Sequence, residues 1–297
     1  MPSRLRQYLR LLAFAALALP AGSPPCVADD LPPINSPAST DWFPGKYVWA
    51  DLFTSDPAAA TRFYSDLFDW TPTMIERNGR SYVVFENGGR PVAGVAVRPH
   101  WLNDQTRGRW VGYISVSDVA STAAKVTAHG GQILFGPRAL AQRGEQAIVV
   151  DDQGVLIGLL HSSSGDPGEY AADPGDWVWA QTFVGDPAAA VGYFHDILGY
   201  EVTPDTRSNR PDAFLLSSGG YARGGLGPVP KRPGAQPGWL GFVRVTDLAA
   251  TIAKVPSLGG AVLVAPKVRA DSKLAVIADP SGASIGLIEL IPEPGAP

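Results

Sequence analysis

An α+β chain of four β-α-β-β-β units, paired into two tandem domains, is what this 297-residue sequence predicts. Three observations carry the prediction. The stretch Val48-Trp49-Ala50-Asp51-Leu52-Phe53-Thr54-Ser55-Asp56-Pro57-Ala58-Ala59-Ala60 returns as Val178-Trp179-Ala180-Gln181-Thr182-Phe183-Val184-Gly185-Asp186-Pro187-Ala188-Ala189-Ala190. Inside each large repeat a smaller one begins, at Trp110-Val111-Gly112-Tyr113 and at Trp239-Leu240-Gly241-Phe242. After each helical stretch come short apolar runs separated by turn signals. A fixed-period repeat decides architecture before any single residue does.

Each unit opens with a strand that runs into a capped helix. In Asp56-Pro57 and Asp186-Pro187 the Asp suits the N-cap and the Pro suits the first helical position. Aromatic helices follow, with Phe63-Tyr64 in one copy and Tyr193-Phe194 in the other. In the second and fourth units Asp118 and Asp247 are the caps, and the helices are expected to end near Gly130-Gly131 and Gly259-Gly260, because paired glycines suit helix C-termini. The closing strands are expected at Ser81–Glu86, Pro91–Val97, Gln132–Phe135, Gln146–Val150, Val155–Leu160, Ala261–Val264, Leu274–Ala278 and Ser284–Leu290. In the third unit only Ala213–Leu216 stands out. Asp151-Asp152-Gln153-Gly154 and Asp279-Pro280-Ser281-Gly282 have the chemistry of tight turns.

The N-terminus reads as a targeting segment. Arg4, Arg6 and Arg10 form a basic region, and Leu11 to Leu19 is an apolar core too short to span a bilayer comfortably. Cleavage after Ala28 fits the small-residue preference there; the alternative is an uncleaved anchor. Cleavage would also remove Cys26, the only cysteine, leaving no disulfide framework and no thiol chemistry. The mature protein is therefore expected to be exported, to the periplasm in a Gram-negative source, with no membrane association once the signal is gone. Residues 29–44 are rich in Pro, Ser and Asp and read as a linker. So does 163–175, entered through Ser162-Ser163-Ser164-Gly165, which has the composition of a flexible surface connection. The domains then span 45–162 and 176–292. A net charge of −4 with no basic run after the first residues gives no footprint for nucleic acid.

Strand–Asp-Pro–aromatic helix, Val-x-Asp-Val/Leu before the second helix, Gly-Gly after it and Asp-x-x-Gly before the last strand occur in that order, twice. This pattern resembles the glyoxalase/bleomycin-resistance/extradiol-dioxygenase superfamily, also called vicinal oxygen chelate (VOC) proteins, and within it the tandem-domain, hydroxylase-like branch. The resemblance implies that each domain is a curved partial barrel around a small-molecule cavity. It also implies a metal site made from His on opening strands and Glu on closing strands. Counting from the capping aspartates and turn glycines puts those positions at Trp49 and Trp179, at Val111 and Leu240 (or Gly112 and Gly241 in a shifted register), and at Gly158 and Gly286. None can ligate through its side chain. His100, His129, His161 and His195 match no metal spacing, and Glu289 falls on the opposite strand face. No family-type metal and no cofactor are expected.

The cavity-facing parity then brings Trp49, Asp51, Phe53, Val111, Tyr113 and Ser115 into the first cup, and Trp179, Gln181, Phe183, Leu240, Phe242 and Arg244 into the second. Aromatic walls with a few polar groups suit a small-molecule ligand. Asp51 in an aromatic pocket is either a general acid or base or a hydrogen-bonded structural carboxylate. Gln181, its counterpart, cannot exchange protons. Tyr113 is either a catalytic phenol or a core aromatic, and Arg244 either an anion-binding group or an ion-pair partner. Trp49 and Trp179 pack the core or stack on a planar ligand. No nucleotide-binding glycine motif, nucleophile elbow or metalloprotease helix occurs. Three functions follow. One is an exported small-molecule binder without metal. Another is a metal-independent lyase or isomerase using Asp51 and Tyr113. The last is a metal-dependent glyoxalase or dioxygenase, which the residues disfavour. The two domains pair with each other in a monomer, or the tandem chain forms a homodimer.

Overall fold

The structure is a computed structural model that describes residues 31–77, 80–102, 107–208, 210–232 and 235–291. The expected signal segment lies outside the described residues. No helix among the described residues is long and apolar enough to cross a membrane. The first domain runs β1 (Tyr47–Thr54), α1 (Pro57–Phe68), β2 (Thr71–Arg77), β3 (Arg80–Asn87), β4 (Arg90–Val97), β5 (Arg109–Ser115), α2 (Val119–Ala128), β6 (Gln132–Leu140), β7 (Gly144–Val150) and β8 (Leu156–Ser162). The second repeats it as β9 (Trp177–Val184), α3 (Pro187–Asp196), β10 (Glu201–Pro204), β11 (Phe214–Ser218), β12 (Tyr221–Pro228), β13 (Gly238–Arg244), α4 (Leu248–Lys254), β14 (Ala261–Val268), β15 (Ser272–Ala278) and β16 (Ser284–Leu290).

All four helices start by one device. The carboxylate of Asp56, Asp118, Asp186 or Asp247 accepts the backbone N–H three residues on, at 2.9, 2.8, 3.1 and 2.9 Å. Such a cap satisfies a donor the helix itself leaves unpaired. Glu289 adds to the fourth start, accepting the Leu248 N–H at 2.8 Å. Helix α4 stops at Lys254, earlier than the Gly259-Gly260 pair implies, because Pro256 offers no N–H to continue the ladder.

Each domain is one eight-stranded sheet, in the order β2-β3-β4-β1-β5-β8-β7-β6 and β10-β11-β12-β9-β13-β16-β15-β14. The opening strands of the two units in a domain sit side by side and antiparallel, while each pairs in parallel with its own unit's last strand. The sequence patterns underestimated β2, β10 and β12. The first two are edge strands with little apolar alternation. Strand β12 carries Gly224, Gly225 and Gly227, and its neighbours β11 and β9 make it a strand by pairing.

The helix-bearing faces of the two sheets meet. Helix α1 and the β3–β4 face form one core with β13, β15, β16 and α4 of the other domain. Helix α2 with β5, β7 and β8 forms a second core with α3, Tyr200, Leu216 and Leu226. Polar side chains cross inside these cores. Trp110 Nε1 donates to Tyr64 Oη at 2.8 Å, and Tyr64 donates to Asp279 of the second domain at 3.1 Å. Trp70 donates to Gly175 O, Trp177 to Val92 O, and Tyr200 to Gly45 O. In the equivalent chain of the second core, Phe194 stands where Tyr64 does, and Trp239 Nε1 is buried without a partner.

Both stretches that compose like flexible linkers are fixed, and they fix each other. Ser39 N–H donates to Ser164 O, Asp166 N–H to Asp41 O, Phe43 N–H to the Asp166 carboxylate at 2.7 Å, and Trp42 Nε1 to Ser162 O. Leu31, Ile34, Ser164 and Asp166 are buried. Residues 31–44 form a strap over the first domain.

Replacing Tyr64→Phe should leave Trp110 Nε1 and Asp279 Oδ2 without a partner in the interface, while Asp279 Oδ1 keeps its donors from Ser281 and Ala283, at a cost of about 1–3 kcal/mol in chemical denaturation. A pH effect follows at the turn before β8. Burial pushes the Asp151 carboxyl up to about 6, against N–H donors from Val155 and Gln153 that favour the charged form. The folded state thus holds this proton more tightly than the unfolded chain does. The group's contribution is fully present below about pH 4 and is lost as pH rises through about 6. Asp151→Asn should remove this slope, so the stability difference between variant and parent should move in the variant's favour from pH 4 to pH 7.

Candidate functional site

The face of each sheet opposite the helices is the cup. In the first cup β1 supplies Trp49, Asp51 and Phe53, and β5 supplies Val111 and Tyr113, as the alternation requires. Trp49 pairs with Tyr113 across β1–β5, and Tyr113 with Gly158 across β5–β8. In the second cup the same row reads Trp179, Phe242 and Gly286. The cross-strand partner of each opening Trp is thus Tyr113 or Phe242, while Val111 and Leu240, the positions counted from the second caps, pair with Asp51 and Gln181. The glycines end both rows for a steric reason. A side chain at Gly158 would run into the Tyr113 ring, and one at Gly286 into the Phe242 ring. An aromatic ring therefore lies where a closing-strand carboxylate would project.

At the floor of the first cup, Asp51 is 2% exposed. Its Oδ1 accepts Trp49 Nε1 at 2.8 Å and Tyr82 Oη at 2.5 Å. Arg143, wholly buried, lays its guanidinium 4.4 Å over the Trp49 ring and donates to Tyr82 Oη at 3.3 Å. Tyr113 Oη is buried without a hydrogen-bond partner. Burial, reinforced by the Asp51 charge, holds the Tyr113 phenol well above its usual range, so it is neutral at physiological pH. The strap closes this cup. Leu31 and Ile34 join its apolar cluster, Pro32 O accepts Arg143 Nε at 2.8 Å, and Trp101 packs edge-on to Phe53.

The second cup lacks all of this. Leu240, Phe242 and Val276 form its base, with Trp179, Phe183, Val264, Leu274 and Ile288 half-buried around them. Gln181 stands in the place of Asp51, packed against Gly225. The contrast is sharp at equivalent positions. Trp49 is 1% exposed and Phe53 8%, whereas Trp179 and Phe183 keep a face towards solvent.

Two expected cup residues lie elsewhere. Ser115 is buried beside the Asp166 carboxylate beneath the strap. Arg244 turns its guanidinium to the Ala172 carbonyl, and its backbone pairs with Gly175 and Asp176. Both sit at strand ends, where the connecting segment rather than the cup covers the side chain. The histidines are scattered: His129 faces the Lys125 carbonyl, His195 pairs with Asp196, and His161, inside β8 rather than past it, stacks 5.2 Å from Trp42. Glu289 is taken by Lys273 and the start of α4, which hold its carboxyl below the usual range. Among the described residues no group of three or more His, Cys, Asp or Glu side chains is placed to hold a metal. Tyr82 and Arg143 escaped the sequence reading. Tyr82 sits in an unremarkable alternating strand, and Arg143, in the turn Gln142-Arg143-Gly144, looks like a solvent-exposed residue.

Family models match both halves of this geometry. Residues 46–159 match the Glyoxalase/Bleomycin resistance protein/Dioxygenase superfamily, and residues 178–288 match a Glyoxalase-like domain. The chain belongs to this superfamily. Among similar proteins, "Putative glyoxylase CFP32" of Mycobacterium tuberculosis is 26% identical over 260 residues, covering 86% of this chain and 99% of the relative. "Anthracycline biosynthesis protein DauV" of Streptomyces sp. strain C5 is 26% identical over 268 residues, covering 84% and 95%. The Mn(II)-bound glyoxalase of Novosphingobium aromaticivorans superposes with a TM-score of 0.59 at 16% identity, over 83% of this chain and 82% of the other. The 2,3-dioxygenase LapB of Pseudomonas sp. KL28 gives 0.59 at 13%, over 86% and 96%. At these identities the two structures attest the fold alone.

Asp51→Asn should cost about 3 kcal/mol in denaturant unfolding, because it leaves the buried Arg143 without a counter-charge. A double variant that also carries Arg143→Met should recover part of that loss.

Proposed function

We propose that this is an exported tandem glyoxalase-fold protein that binds a small, planar, apolar molecule in its second cup, without the metal typical of the family. One observation carries the reading. In the row Trp179–Phe242–Gly286 no side chain can ligate a cation, yet Trp179 and Phe183 remain partly open on an apolar floor. The metal of the family does not fit either row, because indole, ring carbon and glycine are not donors and the Tyr113 phenol stands alone. The N-terminal sequence, a basic region followed by an apolar core, supports export. The relative named for anthracycline biosynthesis, in a pathway class that handles polycyclic aromatic compounds, supports a planar ligand.

The acid–base alternative centred on Asp51 and Tyr113 draws on the buried Asp51–Tyr82 hydrogen bond. It requires the strap to leave, since in the closed cup both oxygens are sealed from any substrate. In the second cup Gln181 stands where Asp51 does and has no proton to exchange.

Titration of the mature protein with an anthracycline should quench tryptophan fluorescence saturably, and Trp179→Ala should abolish the effect while Phe53→Ala leaves it unchanged. Elemental analysis of the same preparation should find metal far below one equivalent, with no thermal shift on adding Mn(II) or Fe(II). Quenching that survives Trp179→Ala would place the ligand elsewhere. A stoichiometric, tightly held metal would restore the glyoxalase or dioxygenase reading.

A further inference from the structure

We propose that residues 31–34 serve as an intramolecular ligand of the first cup. When they lift, that cup takes a neutral apolar molecule bearing a carbonyl and a second acceptor oxygen. This goes beyond the reading above, which concerns the other cup.

The strap occupies the cup as a ligand would. Leu31 and Ile34 supply the apolar body, and the Pro32 carbonyl supplies the acceptor for Arg143 Nε. Beyond that contact the strap is loosely held at this end. Among the described residues, the backbone of residues 31–34 makes no backbone–backbone hydrogen bond, so lifting it breaks no sheet ladder. The anchors lie further on, at Asn35, Ser39, Trp42 and Phe43, all tied to residues 162–166. These need not move when residues 31–34 swing out.

The cup is also incompletely satisfied by the strap. Arg143 Nη1 and Tyr113 Oη are both buried without a partner, and each such group costs free energy that an acceptor would return. The charges say what kind of acceptor. Asp51 and Arg143 both bind the Tyr82 hydroxyl and offset one another through it, so an anion would add an unpaired charge beside Asp51. A neutral molecule whose carbonyl and a second oxygen both accept would use Arg143 Nε and one orphaned donor, against the single carbonyl of the strap. The strap competes through tethering, at an effective concentration that a short linker sets in the millimolar range.

Coumarin, a neutral aromatic lactone, is a suitable probe. With the second cup disabled by Trp179→Ala, adding Ile34→Ser should tighten coumarin binding at least tenfold, and a peptide of residues 31–36 should compete. Equal affinity in a variant that still melts cooperatively would overturn the proposal. So would loss of cooperative melting on Ile34→Ser, which would make the strap core rather than ligand. Hydrogen exchange on the unmutated mature protein gives an independent test. The Leu31 and Ile34 amides should exchange through a local opening insensitive to low denaturant, and coumarin should speed their exchange. Exchange only through global unfolding, or exchange that coumarin leaves unchanged, would overturn the proposal.

Discussion

The molecule depends on the burial of each domain's helices against the other domain. A single β-α-β-β-β unit has one apolar sheet face and one amphipathic helix, and two such units side by side still leave the helix layer open. Here α1 is enclosed between its own sheet and the β13–β16 half of the second domain, and α3 between its sheet and the β5–β8 half of the first. Neither domain completes its core alone, so the two form one cooperative body. The constraint also frees the other faces. With the helices committed to the interface, each curved sheet presents its far side as a cup.

The two cups come from nearly the same template and end in opposite states, through a few substitutions. Asp51, Tyr82, Tyr113 and Arg143 make a closed polar floor in one domain. Gln181, Ala213, Phe242 and Asp271 hold the corresponding places in the other, where no such network forms. A buried carboxylate needs donors and a counter-charge. Once Asp51 stands in the first cup, its neighbours follow, and the strap completes the enclosure. The second cup has nothing of comparable polarity to satisfy, and it stays shallow, apolar and open. In both, an aromatic ring folds over a closing-strand glycine and fills the space that a side chain there would need.

The repeats, the four aspartate caps and most strands were legible in the sequence because they are local. A cap needs only residues three apart, and alternation needs only a strand's length. The edge strands β2 and β10 and the glycine-rich β12 were not, since pairing with neighbours makes them strands. The inward set Trp49, Asp51, Phe53, Tyr113, Trp179, Gln181, Phe183 and Phe242 followed from parity. Ser115 and Arg244 did not, because parity says which side of the sheet a residue leaves but not where its side chain finds a partner at the strand end. The cross-strand row was legible only as far as its first and last members. Its middle, Tyr113 and Phe242, depended on the register between antiparallel strands, which counting from each unit's own cap does not give.

The sequence by itself determined the order and kind of the elements and the pairing of units into two domains. These rest on periodicity, capping and residue identity, which are properties of short stretches. Only the tertiary structure decided that the two linker-like stretches zip together, that Arg143 reaches from a distant turn to cover Trp49, and that one cup is shut while the other is open. Each joins residues far apart in the chain, and no local pattern marks which buried donor a distant carbonyl will satisfy.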